Sequence, residues 1–191
     1  MITRQEAWEL FAAHNKDPQH IRHAIAVEAA MRAYARKFGE DEDLWGIVGL
    51  IHDLDYEEHP VLGEHPFFGA KMLEDLGWPP EIVKAVRSHA TYSGVARKTP
   101  MEKALFAVDE LTGLVAAVAR VRPSKNIADV EVKSVRNKWK DKAFARAVSR
   151  EEIEQGAAEL GVDLNDHIAT VIEALKSVAA ELGIDGSLAC R

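Results

Sequence analysis

Apolar residues recur along this chain at helical spacing and almost nowhere alternate. Ile21, Ala24, Ile25, Val27, Ala30, Met31 and Tyr34 fall mostly on one face of a helix. Asp17 as N-cap with Pro18 in the first turn would open that helix, and Gly39 is placed to end it. Before it, Thr3 and Glu6 have the spacing of a capping box for a short first helix. A third helix is predicted from about Glu42 to His52. The acidic segment Asp55 to Glu64, with Pro60 and Gly63, reads as a loop.

Pro66 can begin the next helix and Gly77 end it. Trp78-Pro79-Pro80 turns into another helix that ends near His89. Ala90 to Lys98 is polar and irregular. Thr99 and Glu102 form a second capping box, opening a long helix to about Val121 that is apolar on nearly every side from Leu105 to Val118. Such a helix belongs at the centre of a fold. After Pro123-Ser124-Lys125, the stretch Val130 to Lys140 is helical and basic. Ser149 and Glu152 cap a further helix closed by Gly161, and the last runs from roughly Asn165 to Leu182. Strand signals, repeats and linkers are sparse or absent. The expectation is one all-α domain over residues 1–191, a multi-helix bundle with a core at about 17–125 and a helical C-terminal extension at about 126–191.

Length and composition fit that expectation. A chain of 191 residues, 47% hydrophobic and 29% charged, can build a substantial core. Its net charge of −7 argues against a general nucleic-acid or membrane-binding surface. The lone cysteine, Cys190, permits no intrachain disulfide. Met1 to Glu6 lacks a charged-then-apolar leader pattern, so a cytoplasmic location is expected. Exposed apolar helix faces would allow a homodimer.

The chemistry concentrates around His52-Asp53, which ends the apolar run Leu44 to Ile51. Neutral imidazole and carboxylate suit manganese, iron, zinc, nickel or cobalt. His23 lies upstream, His65 and His89 downstream, and Asp109 inside the long apolar helix. A carboxylate in such a helix needs a cation, a hydrogen-bond network or an open cleft, because burying it alone costs several kcal/mol or a proton. His23, His52, Asp53, His65, His89 and Asp109 are therefore the candidate ligands for one or two divalent ions. His14, His59 and His167 read as caps or surface residues, and His20, three residues before His23, as a supporting group.

Asp55 or Glu57, in the loop after the doublet, could exchange a proton with a metal-bound water or leaving group. Arg122, Lys125, Lys133, Arg136, Lys138, Lys140 and Lys142 form a basic stretch in an acidic protein. Arg122 and Lys125, beside the Pro123 turn, are the chosen phosphate-binding candidates.

The order His23, His52-Asp53, Asp109 resembles the HD-domain superfamily of metal-dependent phosphohydrolases. The likeness spans about His23 to Lys125. His23-Ala-Ile-Ala-Val27 is similar to that family's first-histidine helix, Leu50-Ile51-His52-Asp53-Leu54-Asp55 to its central doublet, and Val108-Asp109-Glu110-Leu111 to its closing helix. The resemblance implies an all-helical fold with His23, His52, Asp53 and Asp109 as primary ligands. His65-Pro-Phe-Phe-Gly69 and Ser88-His89 resemble the segments of a subgroup that binds a second metal, with Asp53 bridging.

Two branches fit poorly. The bicyclic-dinucleotide phosphodiesterases carry paired histidines and Gly-Tyr-Pro where this chain has His89-Ala90 and Tyr92-Ser93-Gly94. The alarmone hydrolases carry a Glu-Asp pair whose spacing Asp55-Tyr56-Glu57-Glu58 does not match. The expected activity is hydrolysis of a phosphate ester or nucleotide. The competing expectations are a di-iron oxygenase of the same superfamily, and a non-catalytic domain that senses a nucleotide or scaffolds a partner.

Overall fold

The computed structural model describes residues 2–189, so Cys190 lies outside the described residues. Nine α-helices follow one another, with no strand among the described residues: α1 Arg4–His14, α2 Pro18–Phe38, α3 Glu42–Ile51, α4 Phe67–Asp75, α5 Pro80–Ser88, α6 Pro100–Val121, α7 Val132–Trp139, α8 Arg150–Leu160 and α9 Leu164–Lys176. The all-α class read from the sequence is the class of the fold. Both capping boxes form, at Thr3/Glu6 and Thr99/Glu102. Asp17 caps α2 through the Gln19 amide, and Gly39 ends it in the left-handed region at φ 70.

Helix α6 is the central element, in contact with α2, α5, α7, α8 and α9. Its buried face includes Leu105, Val108, Leu111, Leu114 and Val115. Two close approaches set its frame. Helix α3 lies on α2 at Gly49, where an added Cβ would stand 2.9 Å from the Glu28 Cα and the Val27 carbonyl. Helix α8 lies on α6 at Gly156, where a Cβ would stand 2.6 Å from the Ala107 Cα. At both points a side chain would force backbones apart, which dense packing resists.

Two expectations about the C-terminal region need correcting. Helix α9 ends at Lys176, and Ser177 to Gly183 continue as turns rather than helix. His167 is not a surface or capping residue but is fully buried. Its Nε2 donates to the Ala107 carbonyl (2.8 Å) and its Nδ1 accepts from the Tyr34 hydroxyl (2.6 Å). Burial pushes the His167 imidazole down to about 4, with the Ala107 hydrogen bond opposing. It is a neutral core histidine that ties α9 to α2 and α6.

Candidate functional site

The doublet sits where α3 stops. His52 is the C-cap of α3, and Asp53 to Glu58 continue in consecutive turns. Close packing at Gly49 brings His52 beside His23 of α2, with ring centroids 5.1 Å apart. Asp109 comes from the middle of α6, His65 from the loop before α4, and His89 from the C-cap of α5. Five stretches of chain thus converge on one point.

The donor atoms form two triads, His23/His52/Asp109 and Asp53/His65/His89, each with its ligand atoms within 4.8 Å of one another. Asp53 joins them. Its Oδ2 lies 3.6 Å from His23 Nε2 and 3.4 Å from His52 Nε2, while its Oδ1 lies 3.4 Å from His65 Nε2 and 3.5 Å from His89 Nε2. Asp109 Oδ1 lies 2.9 Å from His23 Nε2 and 3.5 Å from His52 Nε2. Ligands held at about 2.1 Å in octahedral or tetrahedral geometry are themselves about 3.0 to 3.4 Å apart. The observed separations therefore suit cations between them.

The imidazoles are oriented for the same purpose. His52 Nδ1–H donates to the Gly49 carbonyl (2.8 Å) and His89 Nδ1–H to the Val86 carbonyl (2.6 Å). A carbonyl can only accept, so in the neutral ring each Nε2 carries the lone pair. His65 Nδ1–H donates to Asp55 Oδ1 (2.8 Å), leaving its Nε2 3.1 Å from His89 Nε2. Two lone pairs that close repel each other unless a cation or a proton lies between them. His52 Nε2 is buried with no hydrogen-bond partner, which is the state of a ligand atom facing its metal.

Electrostatics agrees. Burial disfavours a charged His52, yet the Asp53 and Asp109 carboxylates outweigh it and raise its pKa well above the ordinary value. Against the same burial, His52 and its neighbours hold Asp53 and Asp109 well below the usual carboxylate range. A cluster this anionic attracts positive charge, whether protons or metal.

The cluster opens into a cavity of about 480 Å³. Tyr56, Leu62 and Tyr92, all exposed, stand along it, together with His20, Glu110 and Glu152. The C-terminal region, for which the sequence offered no motif, supplies Ala147, Val148 and Glu152 to its wall. The Ser149 amide, next to Val148, donates to Glu110 Oε2 (3.0 Å). Burial and the adjacent Asp109 push the Glu110 carboxyl up to about 7. Its position one residue past an expected ligand, Asp109, was the available sequence signal.

Four expected site residues are committed to other contacts or lie away from the cluster. Asp55 is fully buried, and both its oxygens are committed, one to His65 and the other to the Gly69 amide (2.7 Å). It is a support for His65, not a free proton carrier. A Cβ at Gly69 would stand 3.0 Å from the Asp55 carboxyl, a tight contact that the carboxyl would have to yield to. Glu57 Oε2 accepts the Lys16 (2.7 Å) and Asp17 (3.0 Å) amides and fastens the loop to the start of α2.

Arg122 and Lys125 do not line the cavity. Thirteen residues of continuous α6 (122 − 109) separate Arg122 from Asp109, about 20 Å at 1.5 Å per residue. Arg122 donates to Ser134 instead (3.2 Å), and the Lys125 carbonyl accepts the Gly186 amide (3.2 Å). Among the described residues no lysine or arginine lines this cavity.

The arrangement is that of an all-helical protein with a buried His/Asp cluster able to hold metal. A family model described as HD domain matches residues 21–114, a span that holds all six clustered side chains, and this segment belongs to the HD-domain superfamily. That superfamily is typically one of metal-dependent hydrolases. No solved structure matches the chain. No helix among the described residues is long and apolar enough to cross a membrane.

Proposed function

We propose that the protein is a metal-dependent phosphohydrolase acting on a phosphate ester or nucleotide. The observation that carries this reading is the Asp53 carboxylate, with one oxygen toward each triad. His23, His52 and Asp109 would hold one divalent ion, His65 and His89 a second, and Asp53 would bridge. Bound there, manganese, iron, zinc, nickel or cobalt would acidify a water and polarise a phosphoryl oxygen. The chain's own residues do the rest. The Nδ1–H bonds of His52, His65 and His89 fix the rings, with Asp55 serving His65. Glu110, lining the cavity beside Asp109, is the carboxylate placed to exchange a proton with water or leaving group. Tyr56 and Tyr92 offer aromatic faces to the organic part of a substrate.

The test is turnover by manganese- or iron-loaded protein across nucleotides and phosphomonoesters. Hydrolysis that is lost on chelation is expected, and no turnover of any member would overturn the reading. One observation favours a second reading, oxidative cleavage on a di-iron pair: the cavity carries Glu110 and Glu152 but no lysine or arginine for a phosphate. Oxygen uptake by iron-loaded protein on adding a substrate would support it. Full anaerobic activity with manganese would exclude it.

A further inference from the structure

The basic stretch of the sequence is not spent at Arg122 and Lys125. Lys140, Lys142, Arg146 and Arg150 meet around a second cavity of about 460 Å³, between the end of α7, the segment 140–149 and the start of α8. Val148 lines this cavity and also the one over the His/Asp cluster. The two cavities therefore share a wall. In a chain of net charge −7, four cations here face two carboxylates, Glu151 and Glu154. Glu154 already accepts the Trp139 indole N–H (3.2 Å). None of the four cations is ion-paired among the described residues, although arginines and lysines elsewhere, such as Arg97, Arg87 and Lys84, are.

A merely solvated basic face would not need a fixed backbone, and this one is fixed. Arg150 donates from Nη1 to the Ala145 and Val148 carbonyls (both 2.8 Å), and from Nη2 to the Phe144 carbonyl (2.6 Å). Asp141 Oδ1 accepts the Ala143 and Phe144 amides (3.1 and 3.2 Å). Ala145 is held at φ 45, a left-handed conformation that a residue with a Cβ adopts only under constraint. Arg150 Nε is buried and has no acceptor in the protein. The segment that walls the first cavity with Ala147 and Val148 thus carries its unpaired cations, in a set shape, toward the second.

We propose that this second cavity binds a phosphate-type oxyanion. Arg150 is spent on clamping the backbone, but Lys140, Lys142 and Arg146 have no ion-pair partner among the described residues, and such ammonium and guanidinium groups match those oxygens. Its position gives the site a use. Among the described residues no lysine or arginine lines the first cavity, so the cationic side chains that could compensate the distal phosphate of a two-phosphate substrate lie across Val148. That use rests on the phosphohydrolase reading, whereas the oxyanion site itself does not.

The probe is inorganic pyrophosphate, titrated calorimetrically into metal-stripped, full-length protein at low salt. One site is expected, weakened at least about tenfold by Lys142→Ala with Arg146→Ala. Both residues are exposed, so the pair leaves the core intact. Lys71→Ala with Lys176→Ala changes the net charge equally but lies elsewhere, and it should leave binding unchanged. Absence of binding, or equal weakening by the two pairs, would overturn the proposal. Manganese-loaded protein then separates two sources of the oxyanion. A KM raised about tenfold for a nucleoside diphosphate, but not for a monophosphate, in the Lys142/Arg146 variant assigns the site to a substrate's distal phosphate. Unchanged KM values, with pyrophosphate binding still lost, assign it to a free oxyanion. Failure of all turnover would remove the phosphohydrolase reading, while the titration would still decide the oxyanion site.

Discussion

His167 should make the protein acid-sensitive by an amount the structure allows to be worked out. In the unfolded chain its imidazole takes up a proton near the ordinary value of 6.5, but in the folded core only near 4. Acidification through that window protonates the unfolded state first, so stability falls as pH drops from above 6.5 toward 4 and is level above it. A displacement of about 2.5 units corresponds to about 3.4 kcal/mol in full, and about 2 kcal/mol of it is lost between about pH 7.5 and about pH 5. His167→Gln keeps a donor for the Ala107 carbonyl but cannot titrate. It should cost about 1 kcal/mol near neutrality through imperfect hydrogen bonding. Its own loss on acidification should then be about 2 kcal/mol smaller than that of the parent.

Urea unfolding of both proteins with chelator present, at the two pH values, measures the difference. Comparing the parent with the variant cancels the other carboxylates and histidines that titrate in the same range. Equal acid losses in the two proteins would show that His167 is not held neutral between Tyr34 and Ala107, and would refute the reasoning.

Other consequences follow from the site and its frame. Asp55→Asn should weaken metal binding by about 10- to 100-fold, because one amide oxygen cannot accept from both the His65 ring and the Gly69 amide, and His65 loosens while all six candidate ligands remain. Competition with a chromophoric chelator reads this, and an unchanged affinity would deny Asp55 its supporting role. Gly49→Ala should destabilise the protein by about 1 to 3 kcal/mol in chemical unfolding, since its Cβ meets the α2 backbone at 2.9 Å; a neutral result would mean that α2 and α3 can separate freely. Arg122→Ala with Lys125→Ala should leave KM for any turned-over substrate within about twofold, given the roughly 20 Å of α6 between them and Asp109. A large rise in KM would return these residues to the site.

The fold was largely legible because its signals are local. Capping boxes at Thr3 and Thr99, the Asp17-Pro18 start and the Gly39 stop each depend on neighbours in the chain, and each forms as read. The six clustered side chains were also legible, since helix ends and an acid inside an apolar helix stand out against their surroundings. What escaped depends on distance in space. Nothing local to Asp55 says that Gly69 and His65 will close on both its oxygens, and nothing local to His167 says that Tyr34 and Ala107 await it. The basic stretch was visible as composition. Its division could not be read, because it depends on α6 carrying Arg122 away while the clamped 140–149 segment brings Lys142 and Arg146 to the neighbouring cavity across Val148.

The central claim, that Asp53 joins two cation sites, is tested most directly by metal content. Elemental analysis of protein purified without chelator, then offered manganese, iron, zinc, nickel or cobalt, should find about two equivalents in the parent. His52→Ala with Asp53→Ala should abolish both while circular dichroism shows the helices retained. A parent that takes up none of these metals would contradict the account.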